Sequence, residues 1–255
     1  MENLNFLLLL AAFLAGLIDS VVGGGGLIQI PALFAVRPAD SAATLFGTNK
    51  CASIFGTANA SWRYARRVNM PWRTILPAAC AAFAFSYLGA AAVTWLPKTA
   101  IRPLILVLLI FAAVYTLKRK NFGAEHVPTQ CGHREWLYAL LLGGAIGFYD
   151  GFFGPGTGSF LIFLFVRFFG FDFLHASASA KVVNVATNLA ALLYFVPNGF
   201  ILPLLAALMA LANIGGSMLG THLALKHGSG FIRWVFLWMV AVLIVKFAWD
   251  TLQLL

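Results

Sequence analysis

Apolar runs occur at about residues 4–22, 27–36, 41–62, 74–96, 101–117, 136–149, 160–171, 173–196, 200–225 and 231–252. Short polar or glycine-rich gaps separate them. The longer runs approach the ~20 apolar residues that a membrane-spanning helix needs, and none alternates as a half-buried strand does. The pattern therefore predicts an all-α integral membrane protein. The polar stretch 118–135, from Lys118-Arg119-Lys120 to Arg134-Glu135, is the longest interruption and divides the chain.

On either side of that stretch the chain repeats. Asp19 and Asp150, Gly23 and Gly154, Gly25 and Gly156, Lys50 and Lys181, Gly89 and Gly220, and Arg102 and Arg233 are all 131 positions apart. One offset over a whole half indicates two copies of one unit, a plan common among transporters. The division expected is a first transmembrane repeat over 1–120, a cytoplasmic linker over 121–134 and a second repeat over 135–255.

Loop charges orient the copies. With residues 4–36 going in and coming back as a hairpin, Arg63, Arg66, Arg67, Arg73, Lys118, Arg119, Lys120, Arg134, Arg167, Lys226 and Arg233 share one face, and Arg37, Lys98 and Arg102 lie opposite. A single crossing by that segment gives a weaker eight-to-six split. The positive-inside rule favours the hairpin. Each half then crosses an odd number of times, so the repeats have inverted topology and both termini are extracytoplasmic. As one helix, 4–36 would also measure about 50 Å against a hydrocarbon core of about 30 Å. Whether the hairpins cross fully or are re-entrant stays open.

Composition agrees: 61% of residues are hydrophobic and 10% charged, and the mean hydropathy is +0.89. A soluble domain carries about 25% charged residues. The net charge of +9 is accordingly read as cytoplasmic loop charge, not as a nucleic-acid footprint. Cys51, Cys80 and Cys131 lack metal or disulfide spacing, and Met1-Glu2-Asn3 lacks the basic start of a cleaved signal. No cofactor and no metal are expected; the His126, Cys131 and His133 loop offers ligand types only.

Chemistry concentrates where lipid forbids it. Gly23-Gly24-Gly25-Gly26 and Gly154-Pro155-Gly156-Thr157-Gly158 interrupt apolar sequence, and unwound backbone at membrane depth survives only inside protein or along a wet cavity. Such breaks are either close helix crossings or paired helix ends whose N–H groups and dipoles hold an anion. Asp19 and Asp150 precede the breaks by four residues, and Lys50 and Lys181 interrupt the following apolar runs. Intramembrane charges are paired or functional. They either pair as internal struts or serve an anionic substrate, with lysine as contact and aspartate as counter-charge or proton carrier. Thr48, Asn49, Ser53, Thr57 and Asn59 surround Lys50; Ser177, Ser179, Asn184, Thr187 and Asn188 answer around Lys181. Ser177, Lys181, Asn184 and Asn188 share one helical face. Asp40 and Asp172 are expected N-caps, and Gly216 to Gly220 a packing motif.

The segment Gly16-Leu17-Ile18-Asp19-Ser20-Val21-Val22-Gly23-Gly24-Gly25-Gly26, followed by Gly47-Thr48-Asn49-Lys50, resembles the TauE/SafE family of sulfite and organosulfonate transporters. Gly147-Phe148-Tyr149-Asp150-Gly151-Phe152-Phe153-Gly154-Pro155-Gly156-Thr157-Gly158, with Ala180-Lys181-Val182-Val183-Asn184, is similar to that family's second-half signature. The resemblance covers the full chain. It implies a multi-pass inner-membrane permease for small sulfur-containing anions such as sulfite or sulfoacetate.

The resulting expectation is a secondary, alternating-access carrier, with proton coupling as one option for its driving force. Its substrate site would comprise Lys50, Lys181, Asn49, Asn184, Thr48, Ser179, Gly23, Gly24, Gly25, Gly26, Gly154, Gly156, Thr157 and Gly158, with Asp19 and Asp150 as counter-charges. Expected partners are a small anion and the lipid bilayer, with no nucleic acid; a homodimer is one open oligomeric state. An intramembrane enzyme or accessory subunit acting on a lipid, and a passive anion channel, are the competing readings.

Overall fold

A computed structural model describes residues 2–93, 123, 125–128 and 132–252. The apolar run 101–117, Lys98, Arg102, Lys118, Arg119, Lys120, Cys131 and the expected 120/121 boundary lie outside the described residues. Within them the chain is all helical: α1 Glu2–Val22, α2 Gly26–Val36, α3 Ala42–Ala65, α4 Trp72–Ala92, α5 His133–Phe152, α6 Thr157–Phe169, α7 Phe173–Phe195 and α8 Pro203–Leu252. In α8 the chain breaks helical geometry at Gly228 (φ 68°, ψ −161°), between two apolar runs.

The helix starts Gly26 and Thr157, Ala42 and Phe173, and Trp72 and Pro203 are each 131 positions apart, so local structure follows the sequence repeat. The starts have local causes. Pro203 opens α8 at a first-turn position whose N–H needs no intrahelical partner. Asp172 caps α7 by accepting from the His175 N–H at 2.7 Å. Its counterpart is Ser41 and not Asp40, which corrects the expected cap. The Ser41 hydroxyl accepts from the Thr44 N–H at 3.1 Å, while Asp40 pairs with Arg37 at 2.6 Å.

Glycines set the packing. On α5, a Cβ at Gly143, Gly147 or Gly151 would strike the backbone of Ala78, Ala82 or Ser86 on α4. On the other side, Gly16 of α1 meets Asn213 of α8, and Gly216 and Gly220 of α8 meet Phe13 and Leu17 of α1. Without a hydrophobic drive between helices in lipid, such close backbone approach is what holds them together. The two contacts correspond under the repeat: α1 lies on α8 as α5 lies on α4. Outward faces are apolar, with Leu7 of α1, Leu88 of α4, Leu141 of α5 and Leu211 of α8 exposed, as lipid contact requires.

Three described helical stretches, Trp72–Ala92, Phe173–Phe195 and Pro203–Val242, are long and apolar enough to cross a membrane. The 11 residues of α2 and 13 of α6 give about 17 and 20 Å at 1.5 Å per residue, short of the ~30 Å hydrocarbon core. Each glycine break is thus followed by a half-length arm.

Candidate functional site

The α1–α2 and α5–α6 breaks turn on Gly23 (φ 77°) and Gly154 (φ 90°), values a side chain resists. The breaks touch: a Cβ on Gly23 would run into the backbone of Gly158, and one on Gly158 into Gly23. The Ser159 N–H donates to the Gly23 carbonyl at 3.2 Å across this contact.

Unwinding α1 leaves carbonyls without helical donors, and buried carbonyls need partners. They find them in succession. The Ser20 carbonyl accepts from the Tyr64 hydroxyl at 3.0 Å, Val21 from the Ser177 hydroxyl at 2.7 Å and Val22 from the Ser159 hydroxyl at 2.8 Å. The Asp19 carbonyl keeps its helical donor, the Gly23 N–H at 2.8 Å, and Lys181 Nζ donates to it as well. The second break is closed by its own half: the Tyr149 hydroxyl donates to the Pro155 carbonyl at 2.6 Å and the Thr157 hydroxyl to that of Gly154 at 2.7 Å.

The four intramembrane charges pair across the repeats. Lys50 Nζ lies 2.9 Å from Asp150 Oδ2, with both side chains 4% exposed, and 3.4 Å from Asn188 Oδ1. Lys181 Nζ lies 3.5 Å from Asp19 Oδ2, with the lysine at 0% and the aspartate at 16% exposure. Asp19 is held loosely, accepting from the Thr57 hydroxyl at 3.2 Å and the Gly25 N–H at 3.4 Å. The acid and base of one copy do not pair with each other. Each bridges to the other half.

Between the breaks lies a cavity of about 30 Å³ lined by Asp19, Gly23, Gly26, Asn49, Lys50, Ser53, Thr57, Asp150, Gly154, Gly156, Gly158, Asn184 and Asn188. Glycines at or just before the first turns of α2 and α6 line it, so the positive ends of both helix dipoles face it. Ser53, Thr57 and Asn188 join the lining from the polar stripes, beyond the set expected from sequence. The spacing of Lys50, Ser53 and Thr57, three and four residues apart, is the signal that places them on one helical face.

The other expected residues sit elsewhere. The Thr48 hydroxyl donates to the Thr44 carbonyl at 2.7 Å and accepts from the Leu202 N–H at 3.0 Å, and the Ser179 hydroxyl donates to the His175 carbonyl at 2.7 Å. Gly24 faces Met239. Gly25 and Thr157 serve their own turns, and Lys181 stands behind Asp19 outside the lining.

A separate cluster forms at the start of α7, around its cap Asp172. His126 stacks on His175 at 3.9 Å between ring centroids, and His175 Nδ1 lies 2.8 Å from Asp172 Oδ1. Burial, then the neighbouring His175, holds His126 below its ordinary value. Burial pulls the Asp172 carboxyl upward, but the hydrogen bonds from His175 outweigh it and hold the carboxyl low.

Comparison with known proteins gives one family, described as Sulfite exporter TauE/SafE, which matches residues 8–247. The chain is 37% identical over 239 residues to "Probable membrane transporter protein ORF9" of Sinorhizobium sp, covering 91% of this chain and 89% of that protein. It is 34% identical over 244 residues to "Probable membrane transporter protein YfcA" of Escherichia coli K12, covering 96% and 89%. A "Probable membrane transporter protein" of Haemophilus influenzae is 32% identical over 248 residues, covering 97% and 96%. No solved structure matches. With the match running through both glycine breaks and both lysines, the chain belongs to the TauE/SafE family and is a membrane transporter rather than an enzyme.

Proposed function

We propose that the chain is a secondary carrier of small sulfur-containing anions, sulfite or a sulfonate such as sulfoacetate, in the cell inner membrane. The observation that carries this reading is the pair of buried Asp–Lys bridges exchanged between the halves around one small cavity. Two ammonium groups, two helix N-termini and the amides and hydroxyls of Asn184, Asn188, Ser53 and Thr57 suit an anion presenting several oxygens. The family description, a sulfite exporter, supports the substrate class.

The mechanism is alternating access between two inverted repeats, with both termini extracytoplasmic. A cavity of about 30 Å³ has room for about two waters, so an anion enters only when the halves part. Parting them stretches both bridges, because each joins one half to the other. The anion takes the place of Asp150 at Lys50, and Lys181 reaches it once released from Asp19.

Uptake of radiolabelled sulfite and sulfoacetate into proteoliposomes tests the assignment. Loss of one charge-assisted contact corresponds to about a tenfold or greater fall in uptake for Lys50→Gln and for Lys181→Gln, with the variants still monodisperse. Normal uptake by both variants overturns the role given to the lysines.

A further inference from the structure

We propose that the cleft between the end of α3 and α8 binds the phosphate of an anionic lipid headgroup. The cleft has a volume of about 650 Å³ and lies far along α3 from Lys50. Arg63, Arg66 and Arg67 enter it from the end of α3, and His222 and Lys226 enter it from α8, so both halves of the chain contribute cations. Among the described residues no carboxylate lines it. Among the described residues none of Arg63, Arg66, Arg67 and Lys226 has an ion pair. Arg63 donates to the Met218 carbonyl at 3.2 Å.

Helix dipoles explain part of this gathering but not all. Arg66 stands at the C-terminus of α3, and Lys226 just before the break of α8 at Gly228. Two helix C-termini together present about one negative charge. Three guanidinium groups and one ammonium present four positive ones, so most of the charge is left for a ligand. Guanidinium forks match phosphate oxygens in pairs, and the lysine adds a point charge.

Depth in the membrane points to a lipid as the source of that phosphate. Trp62 lines the same cleft, is 54% exposed, and carries the Arg66 guanidinium 3.9 Å above its ring. Tryptophan concentrates at the headgroup level of a bilayer, and basic pockets between transmembrane helices at that level receive anionic headgroups. The same cations would also hold a free oxyanion, so the experiment separates the two sources.

The intact protein is reconstituted in phosphatidylcholine vesicles with and without phosphatidylglycerol, and its unfolding temperature is measured. Phosphatidylglycerol is expected to raise it by about 4–8 °C, the scale for a pair of cations near an anionic surface. Arg66→Gln/Lys226→Gln loses most of the rise, whereas Arg73→Gln/Arg134→Gln, which removes two other exposed arginines, keeps it. If the double variant unfolds early in phosphatidylcholine alone, Lys226→Gln by itself is expected to lose about half of the rise. Absence of a rise in the wild type overturns the proposal. So does an equal rise in all variants, which would mean general surface attraction. A rise produced by inorganic phosphate in phosphatidylcholine vesicles and lost in Arg66→Gln/Lys226→Gln assigns the cleft to a free oxyanion instead.

Discussion

The Lys50–Asp150 bridge makes a stability prediction that needs no knowledge of the transported substrate. Its side chains are 4% exposed and its atoms 2.9 Å apart, and the cavity beside it, of about 30 Å³, has room for only about two waters, so bulk solvent cannot take over when one partner is removed. Breaking a buried pair from one side costs about 3–5 kcal/mol, because the remaining charge is stranded in a poorly polarisable interior. Lys50→Gln strands the Asp150 carboxylate, and Asp150→Asn strands the Lys50 ammonium. Replacing both, as Lys50→Met/Asp150→Leu, removes both charges and should cost less than either single change.

The stranded groups escape in opposite directions. A lone carboxylate is relieved by taking up a proton, so the penalty of Lys50→Gln shrinks as pH falls, by up to about 1.4 kcal/mol per pH unit. A lone ammonium is relieved by losing one, so the penalty of Asp150→Asn shrinks as pH rises. Unfolding midpoints in detergent, measured for the three variants between mildly acidic and mildly alkaline pH, give both the sizes and the slopes. Single-variant penalties below about 1 kcal/mol, the range of solvated pairs, or slopes of the same sign would refute a dry bridge.

Two further outcomes follow from the geometry. Gly23→Ala places a Cβ at φ 77° against the Gly158 backbone, adding overpacking to left-handed strain and costing about 2–5 kcal/mol. Gly199→Ala at φ 72° meets nothing within 4 Å and should cost only the ~1–2 kcal/mol of backbone strain in the same unfolding assay. His126, held low by burial and by His175, takes up its proton more readily when unfolded. Its contribution is intact above about pH 6.5 and is lost as pH falls through that value toward the lower folded one; His126→Phe should flatten this part of the stability–pH curve.

The sequence repeat made the two helix breaks legible because their glycines, Gly23 with Gly154 and Gly25 with Gly156, stand at the same offset in both copies. It also isolated Asp19, Lys50, Asp150 and Lys181, since a charge in apolar sequence stands out. Which acid meets which base was not legible, because one sequence carries spacing within each half and not the register between halves. Thr48 and Ser179 show the limit of proximity along the chain. Each lies two residues from its lysine, about 200° around the helix, so its hydroxyl turns to a backbone carbonyl on the far side. Ser53 and Thr57, three and seven residues past Lys50, return to the cavity face. Asp40 misled for a related reason: α3 begins one residue later, where Ser41 bonds the first turn and leaves the aspartate to Arg37.

Charge balance around the cavity between the two glycine breaks bears on what drives the proposed carrier. Two aspartates and two lysines cancel there, and a monovalent sulfonate adds one negative charge. At an effective dielectric of about 20, one unpaired charge about 4 Å from another is worth about 4 kcal/mol, too much to carry through every cycle. A proton taken up with the anion restores neutrality, and Asp19 is the carboxylate placed to receive it: 16% exposed against 4% for Asp150, and held by longer contacts. On this reading, uptake of a monovalent sulfonate such as methanesulfonate into proteoliposomes is driven by an inward pH gradient and indifferent to an imposed membrane potential. Asp19→Asn should keep exchange of the sulfonate across the membrane while losing the response to pH. Uptake driven by potential alone, or an Asp19→Asn variant still driven by the pH gradient, would remove the proton from the cycle and leave the exchanged ion pairs as gates only.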